Sequence, residues 1–453
     1  MSLLVTGATL VTRLAPLELR RADLLLRGGR IERIQPEPEM AVGASVLDAE
    51  GCVVIPGNVN AHMHAYSALA RGMPYRLAPP TSFLEILQRI WWRLDRALDQ
   101  ESIRASALVA AREALLSGTT TLIDHHASPN AIDGSLHVLA EAFGELGLRS
   151  VLAYEVTDRD GPERANAGVE ENRRFLRRVA EGWYPLARGM VGAHASFTLS
   201  DATLLACAEL SREERSGLHI HVAEDALDEA DAVARGNRRV IHRLAAVGAL
   251  DRRSLLAHAV HVDPSEAELV RAAHATVAHN PRSNMHNGVG RTPLAWLGER
   301  VALGTDGIGS DLFEESRVGF LRRREEDLAT DAGWPLARLA ASARVAGDAF
   351  GEEALGRVAP GAPADLVVLD AGFPTPIQPS TFAGHWVFGL SSRSVRDVIV
   401  AGQVVVRERR LTRVDETELA AHAREQAARL WARLEEIPAH PFVPARLLAT
   451  AGR

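Results

Sequence analysis

Residues 217–224 read GLHIHVAE, and the fold turns on this stretch. Apolar residues frame two histidines at i and i+2, which lie on one side of an extended strand. An acid closes the string. Seven other short apolar strings share this make: VNAHMH (59–64), TTLID (120–124), RSVLAYEV (149–156), MVGAHA (190–195), SLLAHAVHV (254–262), ATVAHN (275–280) and RVALGTDG (300–307). Segments of roughly 10 to 20 residues with helical period separate them, the βα alternation of a parallel sheet. In ESIRASALVAAREALLSG (101–118), Ile103, Ala107, Ala110, Ala111 and Leu115 make one apolar stripe, and Gly118 suits the position just past the helix end. Eight strands is the number that closes a barrel filled by its own side chains, so a (β/α)8 TIM-type barrel is expected over residues 57–354.

The flanks have another texture. LLVTGATLVT, ADLLLRGGRIERI and SVLDAEGCVVIPG, all before residue 57, alternate and turn at glycines like hairpins. PADLVVLD (363–370) and VRDVIVAGQVVVRERR (395–410) repeat that texture. Residues 1–56 and 355–411 are therefore expected to form one composite β-sandwich, with 412–453 as a C-terminal helix (roughly 413–435) and tail.

Composition narrows the function. The net charge of −7 gives no electrostatic footprint for nucleic acid. No apolar run approaches the ~18 residues of a membrane span. Two cysteines, Cys52 and Cys207, cannot build a disulfide framework, and the opening MSLLVTGATLVTRLAP lacks the basic start of a signal peptide, so a cytoplasmic protein is expected. All 51 basic residues are arginine. That excludes a lysine Schiff base, a GxxxxGK[ST] phosphate loop and a carbamylated-lysine bridge between two metals. NGVGRT (287–292) is too lax to count as a phosphate loop.

Polar residues gather at the C-terminal ends of the strings, the end where barrel enzymes carry their active sites. His62 and His64 end the first; His219, His221 and Glu224 end the fifth. His258, His279 and Asp306 end the sixth, seventh and eighth. Three histidines and an aspartate converging on one ion suit a single Zn²⁺, with Fe²⁺ or Mn²⁺ as alternatives. For any one of these histidines an internal hydrogen bond is as good an explanation; for all of them together it is not.

PGNVNAHMH (56–64), LHIHVAE (218–224), HNPRSN (279–284), LGTDG (303–307) and PGAPADLVVLD (360–370) resemble, in order, the landmarks of the amidohydrolase superfamily. They are similar to its branch of purine, pyrimidine and triazine aminohydrolases. WWRLDRALD (91–99), IDHHASP (123–129), GAHASFT (192–198) and LGTDGIGSDLFEE (303–315) resemble SsnA-type aminohydrolases associated with selenium metabolism. The resemblance implies a hydrolytic deaminase that acts on a small heterocycle through a metal-activated water. It implies His62, His64, His221 and Asp306 as ligands. The family pattern sets the ligand three residues before the glutamate, which selects His221 and leaves His219 one layer deeper. Glu224 would donate a proton to the ring, while His258 and Asp306 handle the water. His194, His126 and Trp92 are expected against the substrate, His126 being preferred to its neighbour His125. Asn280 and Asn284 are expected to orient the seventh loop. A homo-oligomer, dimer or higher, is expected. Expulsion of another leaving group, or a non-catalytic scaffold that binds metal, would be the alternative functions.

Overall fold

The computed structural model describes residues 2–236 and 238–444. The expected tail beyond residue 444 lies outside them. The strings become strands of two parallel sheets. One sheet runs Asn58–Met63, Thr119–His126, Arg149–Tyr154 and Ala187–Gly189; the other runs Val191–Ala195, Leu218–Val222, Leu255–His258, Thr276–His279 and Val301–Leu303. Two isolated parallel bridges link the sheets: Met63 with Asp306, and Val156, just past Arg149–Tyr154, with Ala193. A short strand, Ala187–Gly189, precedes the fourth string and pairs with Arg149–Tyr154, while Val191–Ala195 of the string itself pairs with Leu218–Val222. At Gly192, just past the break at Met190, a Cβ would stand 2.2 Å from the Tyr154 carbonyl oxygen.

Helices fill the intervals. Gln100–Leu116 begins with a capping box between Asp99 and Ser102 and ends before Gly118 at φ +77°, the left-handed geometry that glycine adopts without strain. Its stripe of Ile103, Ala107, Ala110, Ala111 and Leu115 is buried throughout.

The terminal segments interleave. In a seven-stranded sheet, Val53–Pro56 pairs parallel with Thr9–Leu14 and antiparallel with Leu366–Leu369, placing Pro56 opposite Leu366 and Val53 opposite Leu369. A second sheet of Arg30–Ile34, Leu24–Arg27, Ser2–Thr6 and Ser45–Asp48 shares a core with it that includes Leu10, Leu24, Ile31, Val54, Leu366 and Val368. The alternate residues Val53, Ile55, Val367 and Leu369 face the helical layer instead. Both faces are thus buried, which is why these strands read as continuous apolar runs.

Leu17–Arg21 adds an edge strand, and a helix at Phe382–Phe388 interrupts the C-terminal strand texture. The C-terminal helix spans Glu416–Glu436, capped by Asp415. No helix among the described residues is long and apolar enough to cross a membrane.

Candidate active site

The strand ends bring the predicted ligands together, and hydrogen bonds fix which nitrogen of each ring faces inward. His64 Nδ1–H donates to the His125 carbonyl oxygen (2.6 Å), and His221 Nδ1–H donates to the His194 carbonyl oxygen (2.8 Å). Each leaves Nε2 as the free lone pair. The two Nε2 atoms stand 3.2 Å apart, and His64 Nε2 lies 3.1 Å from Asp306 Oδ1. His62 Nδ1 meets His219 Nε2 at 2.8 Å, so His62 Nε2, 3.8 Å from the same Asp306 oxygen, also points to the shared space. That nitrogen is buried with no hydrogen-bond partner.

Ligands about 2.1 Å from a tetrahedral ion lie roughly 3.4 Å from one another. The separations of 3.1, 3.2 and 3.8 Å bracket that spacing. One divalent ion therefore fits His62, His64, His221 and Asp306, with His219 behind His62 as the group that orients it.

Three proton-handling groups adjoin this point. His258 Nδ1–H donates to Asn284 Oδ1 (2.8 Å), leaving a buried, unpartnered Nε2 that lies 3.5 Å from Glu224 Oε2 and 3.7 Å from Asp306 Oδ2. Asn284, expected to steady a loop, thus sets the tautomer of His258. Burial, and then the Asp306 carboxylate, push Glu224 up to about 8, which favours the protonated form a donor needs. Asp306 accepts from the Ser283 hydroxyl and from Gly307 N (2.8 Å).

Backbone geometry aims these groups. Strand alternation would send His258 to the side of Leu256, which packs in the helical layer. A φ of +73° at His258 breaks that alternation. Ala223 (+47°), Ala259 (+48°) and Asp306 (+54°) are left-handed too, so three of the strand ends hold strained residues beside the site. Such positions cost about 1–3 kcal/mol each and persist where surrounding contacts enforce them.

The site opens into a cleft that also reaches Tyr66, Glu155 and Asn287. Phe83, Leu87, Trp91, Trp92 and Phe197 give it an apolar wall. Leu87–Trp91 forms a π-helical turn, a distortion that recurs at functional sites. Trp92, expected against the substrate, is buried in the cleft wall, with the Arg159 guanidinium 5.2 Å above its ring and the His194 ring 6.0 Å away. His194 also faces the cleft; its Nδ1–H donates to Thr198 Oγ1 (2.8 Å) because that hydroxyl itself donates to the Ala195 carbonyl.

His126 is a correction. It continues the face of Leu122, which packs in the helical layer, and its Nε2 meets Ser128 Oγ at 2.9 Å. It does not line the cleft. His125 has the inward parity of Ile123 and stacks on His219 with ring centres 4.2 Å apart.

Glu155, unassigned in the sequence, also enters the site. It is buried at the end of the third string and lines the cleft. Oε1 lies 3.1 Å from His64 Nδ1 and 3.5 Å from His125 Nδ1; Oε2 lies 3.9 Å from His194 Nε2. The parity of Val151 and Ala153 was its only sequence signal.

A buried cluster of imidazoles and carboxylates that could hold one divalent ion, with further ionisable groups beside it, is a centre of the kind hydrolases use. The amidohydrolase family model matches residues 53–405, and the chain belongs to that family. It is 31% identical over 385 residues to a 5'-deoxyadenosine deaminase of Methanopyrus kandleri, covering 83% of this chain and 86% of the relative. It is 30% identical over 446 residues to a 5-methylthioadenosine/S-adenosylhomocysteine deaminase of Pelotomaculum thermopropionicum, covering 95% and 99%. An adenosine deaminase from Xanthomonas campestris, solved with bound zinc, superposes with a TM-score of 0.81 at 24% identity, covering 95% of this chain and 98% of that one.

Proposed function

We propose that the chain is a hydrolytic deaminase that removes the amino group from a purine-like nitrogen heterocycle. The observation that carries this reading is the cluster of Glu224, His258 and Asp306, in which Asp306 also groups with His62 and His64, and His258 with His62 and His221. His62, His64, His221 and Asp306 would hold one ion, zinc before iron or manganese, and a bound divalent ion lowers the pKa of water enough to supply hydroxide near neutral pH. Asp306 Oδ2 and the free His258 Nε2 take up the water's proton. Glu224 gives its proton to the ring nitrogen beside the aminated carbon, which makes that carbon electrophilic. The water's oxygen adds to that carbon, the leaving nitrogen takes the proton held by Asp306 and His258, and the carbon–nitrogen bond breaks to release ammonia. Trp92 and Phe197, buried in the cleft wall, give a heterocycle an aromatic backing, and His194 Nε2, an acceptor in its neutral tautomer, faces a donor on its edge. Glu155 Oε2 stands ready for the same kind of donor.

For the frame, the two bridged parallel sheets act as one closed eight-stranded barrel, and the interleaved terminal sheets as a small β-sandwich beside it. The names of the two relatives support purine nucleosides as first substrates.

The test is ammonia release from 5'-deoxyadenosine, 5'-methylthioadenosine, S-adenosylhomocysteine, guanine, pterins, cytosine and aminotriazines, with metal quantified in the same samples. Glu224→Gln keeps the size of the side chain but cannot give the proton. Its kcat should fall about 10²- to 10⁴-fold with metal content near that of wild type. An unchanged rate refutes the role of Glu224; a metal-loaded wild type inert on the whole panel refutes the deaminase reading.

A further inference from the structure

At the opposite end of the parallel strands lies a second recess of about 410 Å³. Its walls are the entries to the strands whose exits carry the catalytic groups. Arg188 comes from Ala187–Gly189; Arg215 precedes Leu218, Arg252 and Arg253 precede Leu255, and Arg300 precedes Val301. Five guanidiniums thus face one cavity in a protein whose net charge is −7. Only two carboxylates line it, and both are engaged: Glu214 lies 3.7 Å from Arg177, and Asp348 lies 3.8 Å from Arg300.

The other four arginines have no ion pair among the described residues. Arg215, Arg252 and Arg253 make no side-chain hydrogen bond either, and Arg188 donates only to the neighbouring Ala187 carbonyl while lying 4.8 Å over the Phe350 ring. Arg300 Nε is buried with no acceptor. Burial, and then Arg149, hold the Arg188 guanidinium below its usual value; burial does the same to Arg300, with Arg344 and Arg252 opposing Asp348. An unbalanced positive recess draws anions, and guanidinium forks match phosphate oxygens two at a time.

We propose that this recess binds the phosphate groups of a small phosphorylated ligand of nucleotide size, at a site separate from the deaminase centre. Strands from the catalytic end run directly to it, but none of its arginines lines the cleft.

The test is calorimetric titration of the full-length, metal-loaded protein with inorganic phosphate, pyrophosphate and ATP at fixed ionic strength. Zinc is assayed afterwards, and the double substitution Arg252→Ala/Arg253→Ala and the single Arg215→Glu run in parallel. Saturable binding of one equivalent, weakened at least tenfold by both sets of substitutions with ammonia release unchanged, is the expected result. ATP binding at least tenfold tighter than inorganic phosphate identifies a nucleotide as the source; equal affinities identify free phosphate. Both substituted sites are at or near the surface, and an unchanged melting temperature checks the fold. No saturable binding by any probe overturns the proposal. So does binding that the substitutions leave intact, which would place the probe in the catalytic cleft.

Discussion

A methyl group at Gly304 would stand 2.4 Å from Asn280 Oδ1 and 2.8 Å from His62 Cβ. The glycine of LGTDG thus makes room for a ligand on the neighbouring strand. Gly304→Ala should push His62 out of line and weaken zinc binding about 10- to 100-fold, read by competition with a chromogenic chelator, with a matching loss of turnover at limiting zinc. His221→Ala should empty the site. His219→Ala, which removes the acceptor behind His62, should weaken zinc by the same 10- to 100-fold without emptying it. Equal zinc loss in the two histidine variants would make His219 a ligand. The strand-end histidines and acids were legible because paired i and i+2 histidines stand out in a sequence, while the choice of His62, His64, His221 and Asp306 as ligands came from the family resemblance. Adjacent histidines were harder: choosing His125 over His126 needed the parity of Ile123, which the bare pair His125-His126 does not display. His258 was found for its place at a strand end, but alternation alone points it the wrong way. Its left-handed backbone is a tertiary outcome. Glu155 stayed hidden because one acid inside RSVLAYEV looks like the end of an ordinary strand.

Among the elements, the strands that join the two ends of the chain carry the plainest consequence. Val53–Pro56 holds Thr9–Leu14 on one side and Leu366–Leu369 on the other. Deleting residues 1–50 removes the first partner and the small sheet that covers Val54, Leu366 and Val368. Amide exchange at 366–369 and 395–400 should accelerate sharply in the deleted protein; unchanged protection there would make the C-terminal strands independent. Glycine punctuation and period-two alternation made most of these strands readable. Leu17–Arg21 escaped because LELRR is rich in charge, as an edge strand can be. Phe382–Phe388 escaped because it is short and contains Gly384. Trp386 anchors it by stacking on Phe313 with ring centres 4.5 Å apart, a contact between segments far apart in sequence. The short strand Ala187–Gly189 was equally invisible, since only Met190 separates it from the fourth string.

At the scale of the whole molecule, an ion held by the proposed ligands would tie the first, fifth and eighth strings of the chain together. Zinc at a hundred times its dissociation constant should add about 2.7 kcal/mol to the folded state. Calorimetric melting should therefore move up by several degrees on zinc addition and fall back with a chelator, whereas His221→Ala should melt at one temperature under both conditions. Elemental analysis should give one equivalent per chain; two retained after dialysis would contradict a site without a lysine bridge. The pairing of Pro56 with Leu366 has a further consequence, in time rather than space. A ribosome adding about 5–20 residues each second needs roughly 15–60 s to make the chain between those two strands. For that interval the nascent Val53–Pro56 has a bare, wholly apolar edge with no mate yet synthesised. Trigger-type holdases that cover such edges should raise the yield of native enzyme in cell-free translation, and they should do so by acting before residue 366 emerges.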